Sequence, residues 1–186
     1  MIEVPNVLNI DKVFISSKFS EINLNQIYID RVEVSLDEYY KTVDFSFWSQ
    51  DEQNKATTIW ADLIKDSLKS ELNKAGFSLL EKPQPGSYTI SVNVFGLGFG
   101  GGAHTSLKSS KKYSSRNGLY LDQPAEQVYL EYFLTSPEEA LFYAINLETP
   151  SYSYIDGKSR NGYEQKNKRY VEKWMEAFVA ALKSTE

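Results

Sequence analysis

The first fifty residues carry three stretches patterned as strands. "NVLNIDKVFIS" is rich in β-branched and apolar residues. In "QIYIDRVEVSL", Ile27 and Ile29 share one face, while Val32, Val34 and Leu36 follow in the opposite phase. A change of phase inside a strand predicts an extra residue, here a bulge at Asp30–Arg31. "VDFSFW" alternates with Val43, Phe45 and Phe47 on one side and Asp44, Ser46 and Trp48 on the other.

The period then changes from two to between three and four. In "NKATTIWADLIKDSLKSELNKAG", Trp60, Leu63, Ile64, Ser67, Leu68, Leu72 and Ala75 fall on one stripe. Lys65, Asp66, Lys69 and Glu71 lie off it, which predicts an amphipathic helix with a wet, charge-paired side. Gly76 is placed to end it in the left-handed conformation. "FSLLEKPQPGSYTISVNVF" reads as a short strand, a Pro/Gly turn and a longer strand. In the longer strand Tyr88, Ile90, Val92 and Val94 face one way, and Thr89, Ser91 and Asn93 the other.

Residues 128–147 admit two readings. Ser136-Pro137-Glu138-Glu139 has the residue order of a helix N-cap, with proline at the first helical position. Yet Val128, Leu130, Tyr132 and Leu134 alternate before it, and Leu141, Tyr143, Ile145 and Leu147 alternate after it. Two such runs about a proline turn favour a hairpin. "TPSYSYIDGKSRNGYEQ" reads as a loop, and "KRYVEKWMEAFVAALKS" as a second amphipathic helix. The whole predicts one α+β domain over residues 1–186, a single antiparallel or mixed sheet of about six strands with both helices packed on one face.

Composition narrows the chemistry. A chain of 186 residues with 41% hydrophobic and 24% charged residues can bury a core without staples. It has no cysteine and one histidine, which excludes disulfides, thiolate zinc sites and any site needing two imidazoles. The net charge of −5 argues against general nucleic-acid binding. Charge is uneven: residues 1–66 carry 12 acidic and 6 basic side chains, while 103–118 carry Lys108, Lys111, Lys112 and Arg116 and no acid. The N-terminus shows no basic segment followed by an apolar one, so no signal peptide is legible.

The richest local pattern is "VFGLGFGGGAHTSLKSSKK", residues 94–112, with five of the ten glycines. Gly96, Gly98 and Gly101 satisfy G-x-G-x-x-G, and Asp122 follows about 20 residues on. A dinucleotide site needs a helix after the glycines, whose free amides hold the pyrophosphate. "AHTSLKSSKKYSSRNG" has no apolar stripe to form one, and no Gly-Lys-Ser/Thr closes a Walker loop. The segment therefore reads as a strand-to-strand loop. As a contact loop it would offer Phe95, Leu97 and Phe99 as apolar groups, with His104, Lys108, Lys111 and Lys112 as a polar rim.

The other candidates are weaker. His104 lacks the partners of a triad. Asp37–Glu38 and Glu138–Glu139 are sequence neighbours, whereas glycosidase acids face each other across a cleft. No calcium loop is present, and no cofactor or metal is expected. Tyr152 and Tyr154 in "SYSYID" lie outside any apolar stripe and form a second candidate contact patch. Basic groups at Lys108–Arg116 and Lys158–Arg169 have few aromatics between them, so stacking on RNA bases is not indicated.

Two pieces carry a resemblance. One is "IWADLIKDSLKSELNKAGFSLLEKPQPGSYTISVNV": helix, glycine, short strand, Pro/Gly turn, long strand. The other is a hairpin followed by "YVEKWMEAFVAALKS". In type and order of elements, residues 55–186 resemble small bacterial cell-envelope lipoproteins of the LPS-assembly-lipoprotein-like and ABC-transport-auxiliary-lipoprotein-like types. The resemblance implies a non-enzymatic protein, periplasmic or outer-membrane anchored. Such a protein is tethered by a lipidated N-terminal cysteine that this chain does not carry, and acts through protein contacts in the envelope. It assigns no residue a role. The expectation is an accessory binding domain with a protein partner and no nucleic acid. The alternative is a small-ligand or carbohydrate-binding module using exposed aromatic residues.

Overall fold

The computed structural model describes residues 1–5, 9–19, 24, 26–36, 50–97, 128–148 and 161–184. Their elements are β1 (Ile2–Val4), β2 (Lys12–Ile15), β3 (Ile27–Leu36), α1 (Gln50–Lys74), β4 (Leu79–Leu80), β5 (Tyr88–Leu97), β6 (Val128–Thr135), β7 (Ala140–Glu148) and α2 (Asn161–Ser184). The strands form one sheet in the order β1-β2-β7-β6-β5-β3-β4. Pairing is antiparallel except that β3 runs parallel to both β4 and β5. This is the expected α+β architecture, with seven strands rather than about six. The added strand is β1, three residues on the sheet edge, too short to show a period. The strand expected at "VDFSFW" lies outside the described residues.

The predicted phase change in β3 is a real bulge. Pairing with β5 steps from Ile29↔Ile90 to Val32↔Val92, so three residues of β3 span two of β5. The side chain of Lys65 on α1 reaches the Asp30 carbonyl at this point, 3.4 Å away. A second shift, from Val34↔Val94 to Leu36↔Leu97, puts the extra residue on β5. Gly96 takes it up with φ +71°, a left-handed conformation that glycine adopts without strain.

Both helices cover the same face. Ile90, Val92 and Val94 of β5, Leu130, Tyr132 and Leu134 of β6, and Phe142 and Ala144 of β7 are buried there. Trp60, Ile64, Leu68 and Leu72 of α1 and Val171, Trp174, Met175, Phe178 and Leu182 of α2 complete the same core. Tyr132 lies flat on Phe178, centroids 4.5 Å apart, and Phe142 meets Phe178 edge-on at 5.8 Å. Among the described residues, no helix is long and apolar enough to cross a membrane.

Local chemistry ends the elements where expected. Gly76 has φ +89°, its N–H bonds the Asn73 carbonyl, and the Phe77 N–H bonds Leu72. That double bond is the Schellman closure of α1, and it brings Phe77 back onto the core. The ambiguous segment is a hairpin. The Ser136 hydroxyl accepts hydrogen bonds from the Glu138 and Glu139 amides, and the Ser136 N–H bonds the Glu139 carbonyl. Serine thus satisfies the amides it would have capped in a helix, but the chain turns back as β7. The α2 helix begins at Asn161, seven residues before the expected Lys168. Asn161 and Gly162 are poor helix formers, and the buried Asn167 interrupts the apolar stripe that marks the rest.

Candidate functional site

Among the described residues, no element packs on the other face of the sheet, the open face. Strand register arranges its side chains in three rows. The first is Phe14–Tyr143–Phe133–Ser91, running across β2, β7, β6 and β5. Its rings stack, Phe14 to Tyr143 at 5.9 Å and Phe133 to Tyr143 at 4.8 Å. The second row is Lys12–Ile145–Glu131–Asn93–Glu33. The third is Leu147–Tyr129–Phe95, and it is the most exposed: 38%, 50% and 42% of each residue meets solvent.

Such exposure is unusual for three large apolar residues in one register line, because each carries area that burial would favour by roughly 25 cal/mol per Å². Isolated exposed hydrophobics need no explanation, but a contiguous group is a candidate contact surface. The polar middle row interrupts the apolar area. The Tyr143 hydroxyl donates to Glu131 Oε1 at 2.9 Å across the hairpin. Burial and the Glu131 carboxylate together push the Tyr143 phenol up to about 12, so it stays a donor at neutral pH. At the row's edge Arg31 pairs with Glu33 at 3.1 Å.

One predicted contact residue, Phe95, sits on this surface. Leu97 does not: it is fully buried and faces the helices. The reason is the Gly96 bulge, which reverses the alternation after Phe95. Phe99, His104, Lys108, Lys111, Lys112, Tyr152 and Tyr154 lie outside the described residues.

The outward placement of Leu147, unlike that of Tyr129, is legible only with the register in hand. Tyr129 alternates against the core run Val128, Leu130, Tyr132, Leu134, so its outward placement followed from the pattern. Leu147 belongs to the run Leu141–Tyr143–Ile145–Leu147, whose regular apolar alternation reads as the covered face. In the sheet, Tyr132↔Ala144 and Leu134↔Phe142 put Phe142, Ala144 and Asn146 with the core instead. Tyr143, Ile145 and Leu147 therefore line the open face. The more apolar alternation of β7 marks the side that neither described helix covers.

A second polar cluster lies at the end of β7, on the helix side. The buried Asn146 amide donates to Glu148 Oε1 at 2.6 Å and to the Asn9 carbonyl at 3.2 Å. Asp11 accepts the Leu147 N–H at 2.7 Å. Asn9 holds φ +62°, which asparagine tolerates better than most residues. Burial raises the Glu148 carboxyl above its ordinary value, against the pull of the Asn146 amide and the nearby Trp174 indole, while the Asp11 charge adds to the rise. These contacts tie the N-terminal segment to β7 beside α2, and explain the cluster as structural. Among the described residues, no three His, Cys, Asp or Glu side chains are grouped to hold a metal ion.

No protein-family model matches the sequence, and no curated protein matches it. Solved structures similar in arrangement include the following two. A PelC dodecamer from Paraburkholderia phytofirmans has 14% identity, with 82% of this chain and 85% of that chain covered and a TM-score of 0.34. A minor lipoprotein from Acinetobacter baumannii has 7% identity, with 84% of this chain and 90% of that chain covered and a TM-score of 0.40. No residue role comes to this chain from either.

Proposed function

We propose that this chain is a non-catalytic accessory domain of the bacterial cell envelope, periplasmic or anchored at the outer membrane, and that it works by binding a protein. The observation that carries the binding part is the exposed Phe95–Tyr129–Leu147 row on the open face. The helix-covered face supplies the buried core, and these three residues lie outside it with much of their area facing solvent. The envelope part rests on the resemblance in element order.

Site-specific crosslinking tests the reading. A photo-crosslinking phenylalanine at position 129 should give a discrete protein adduct in intact cells, recovered from the envelope fraction. The same probe at position 69, exposed on α1, should not. The adduct should disappear when Phe95 and Leu147 are both changed to Ser. Equal labelling from both positions, or an adduct indifferent to those changes, would defeat the proposal. A glycan or metabolite that raises the melting temperature of the isolated protein, and loses that effect in Tyr129→Ser, would make the row a ligand platform instead.

A further inference from the structure

Glu131 stands in the centre of the open face, between the two apolar rows. Tyr129 and Phe133 are two residues away on either side along β6 and point to the same face, each about 7 Å distant by strand geometry. Phe95 lies diagonally across, beside Tyr129. The carboxylate accepts one hydrogen bond, from Tyr143, and makes no ion pair with any described residue. Lys12 shares its row but is two strands away, with Ile145 between them. Arg31, at the other end, is engaged by Glu33. Asn93, paired directly with Glu131, keeps its Oδ1 buried and without a donor. Among the described residues, the middle of this face therefore offers the Glu131 carboxylate and aromatic rings, with no cation paired to them.

We infer that the open face receives an arginine side chain of the protein partner, its guanidinium paired with Glu131 and flanked by the rings of Tyr129 and Phe133. This rests on the protein-contact reading above and names the chemistry of the partner. A guanidinium suits the site for three reasons. It carries five N–H donors, and among the described residues the Glu131 carboxylate accepts only from Tyr143, which leaves lone pairs for more. Its flat, weakly hydrated faces stack on aromatic rings, and a cation within about 6 Å of a ring centroid is attracted to it. Apolar residues beside the arginine would cover the Phe95–Tyr129–Leu147 row and keep water from the ion pair. A lysine would keep the charge but lose the planar stacking.

The probe is the peptide acetyl-Leu-Arg-Leu-amide, with its Lys and Glu counterparts, followed by amide shifts in a 15N-labelled protein. The arginine peptide should give saturable shifts centred on residues 93, 95, 129, 131 and 133, with the lysine peptide weaker and the glutamate peptide showing no saturation. Glu131→Gln should lower the affinity about fivefold, the size expected of a partly exposed ion pair, and should remove most of the salt dependence. Tyr143→Phe removes the hydroxyl but leaves the carboxylate, and should bind like the parent. Thermal melts establish that both variants are folded. Equal affinity for the arginine and glutamate peptides, shifts centred elsewhere, or an unchanged Glu131→Gln would overturn the inference. So would an equal loss in Tyr143→Phe, which would mark a general disturbance of the face. The two readings fail separately. An adduct from position 129 with a negative peptide result leaves protein contact standing without the cation. A positive peptide result with no adduct does the reverse.

Discussion

Tyr132 of β6 lies flat against Phe178 of α2, their rings 4.5 Å apart and within 7° of parallel. Both are fully buried, and the pair is one of the contacts through which the last helix sits on the sheet. The Tyr132 hydroxyl reaches the Trp174 carbonyl only at 3.5 Å, a long bond. Burial holds the phenol far above its ordinary titration range, so it is neutral in the folded state. Ring packing should therefore dominate its contribution. Tyr132→Ala should cost about 3–5 kcal/mol in urea unfolding, and Tyr132→Phe less than about 1 kcal/mol. A large loss in the phenylalanine variant would show the hydroxyl bond to be stronger than its length indicates.

The end of α1 depends on one backbone conformation. A methyl group at Gly76 would meet nothing within 4 Å, so Gly76→Ala isolates the strain of φ +89° from any clash. The expected loss is about 1–2 kcal/mol. Gly76→Asn should recover part of it, because asparagine enters the left-handed region more easily. Equal stability of all three proteins would mean that the closure of α1 is set by Phe77 packing alone.

Much of this architecture can be read from residue spacing, and the failures share a cause. The stripes from Trp60 to Leu72 and from Val171 to Leu182, the bulge at Asp30–Arg31 and the terminator Gly76 each follow from a local rule. Spacing does not tell which side of a strand is covered. In β7 the bulkier alternation, Tyr143–Ile145–Leu147, faces away from the helices, because cross-strand register with Tyr132 decides the matter. Leu97 illustrates the same limit. It continues an apolar sequence after Phe95, but the Gly96 bulge turns it inward. The edge strand β1 has too few residues to carry a period. The exposed row Phe95–Tyr129–Leu147 is composed of residues from three strands, and only pairing makes them neighbours.

The two faces of the sheet predict opposite responses to polar substitution. Changing Phe95, Tyr129 and Leu147 to Ser should cost on the order of 1 kcal/mol at each site, since a large part of each already meets solvent. Changing the buried Val92 to Ser should do more damage than any one of them, leaving a hydroxyl without a partner in the core. Binding of a hydrophobic fluorescent dye to the native protein should fall in the triple variant. A triple variant that unfolds would show that this row supports the fold, and would remove it as a free surface.

Two carboxylates should give stability opposite dependences on pH. Lys18 donates to Glu139, which lowers that carboxyl below its ordinary value, with the Ser16 hydroxyl as a lesser contributor. A lowered folded pKa means that the stabilisation is present above the ordinary carboxylate range and disappears as pH falls through the folded value. Glu139→Gln should therefore be less stable than the parent at pH 7 and equal to it near pH 2–3, a small effect at an exposed pair. Glu148 runs the other way. Burial raises its folded pKa, so the folded state holds the proton more tightly than the unfolded chain does. Its contribution is fully present below the ordinary carboxylate range and is lost as pH rises through the folded value. At pH 7 the ionised Glu148 is a liability, and Glu148→Gln should raise Tm, on the order of 1 °C in a chain this long. That advantage should vanish by about pH 4, where the parent carboxyl is itself protonated. Unfolding curves at half-unit steps from about pH 2 to 8 check both signs. A Glu148→Gln protein less stable than the parent at pH 7 would mean that the Asn146 bond to the charged carboxylate outweighs burial.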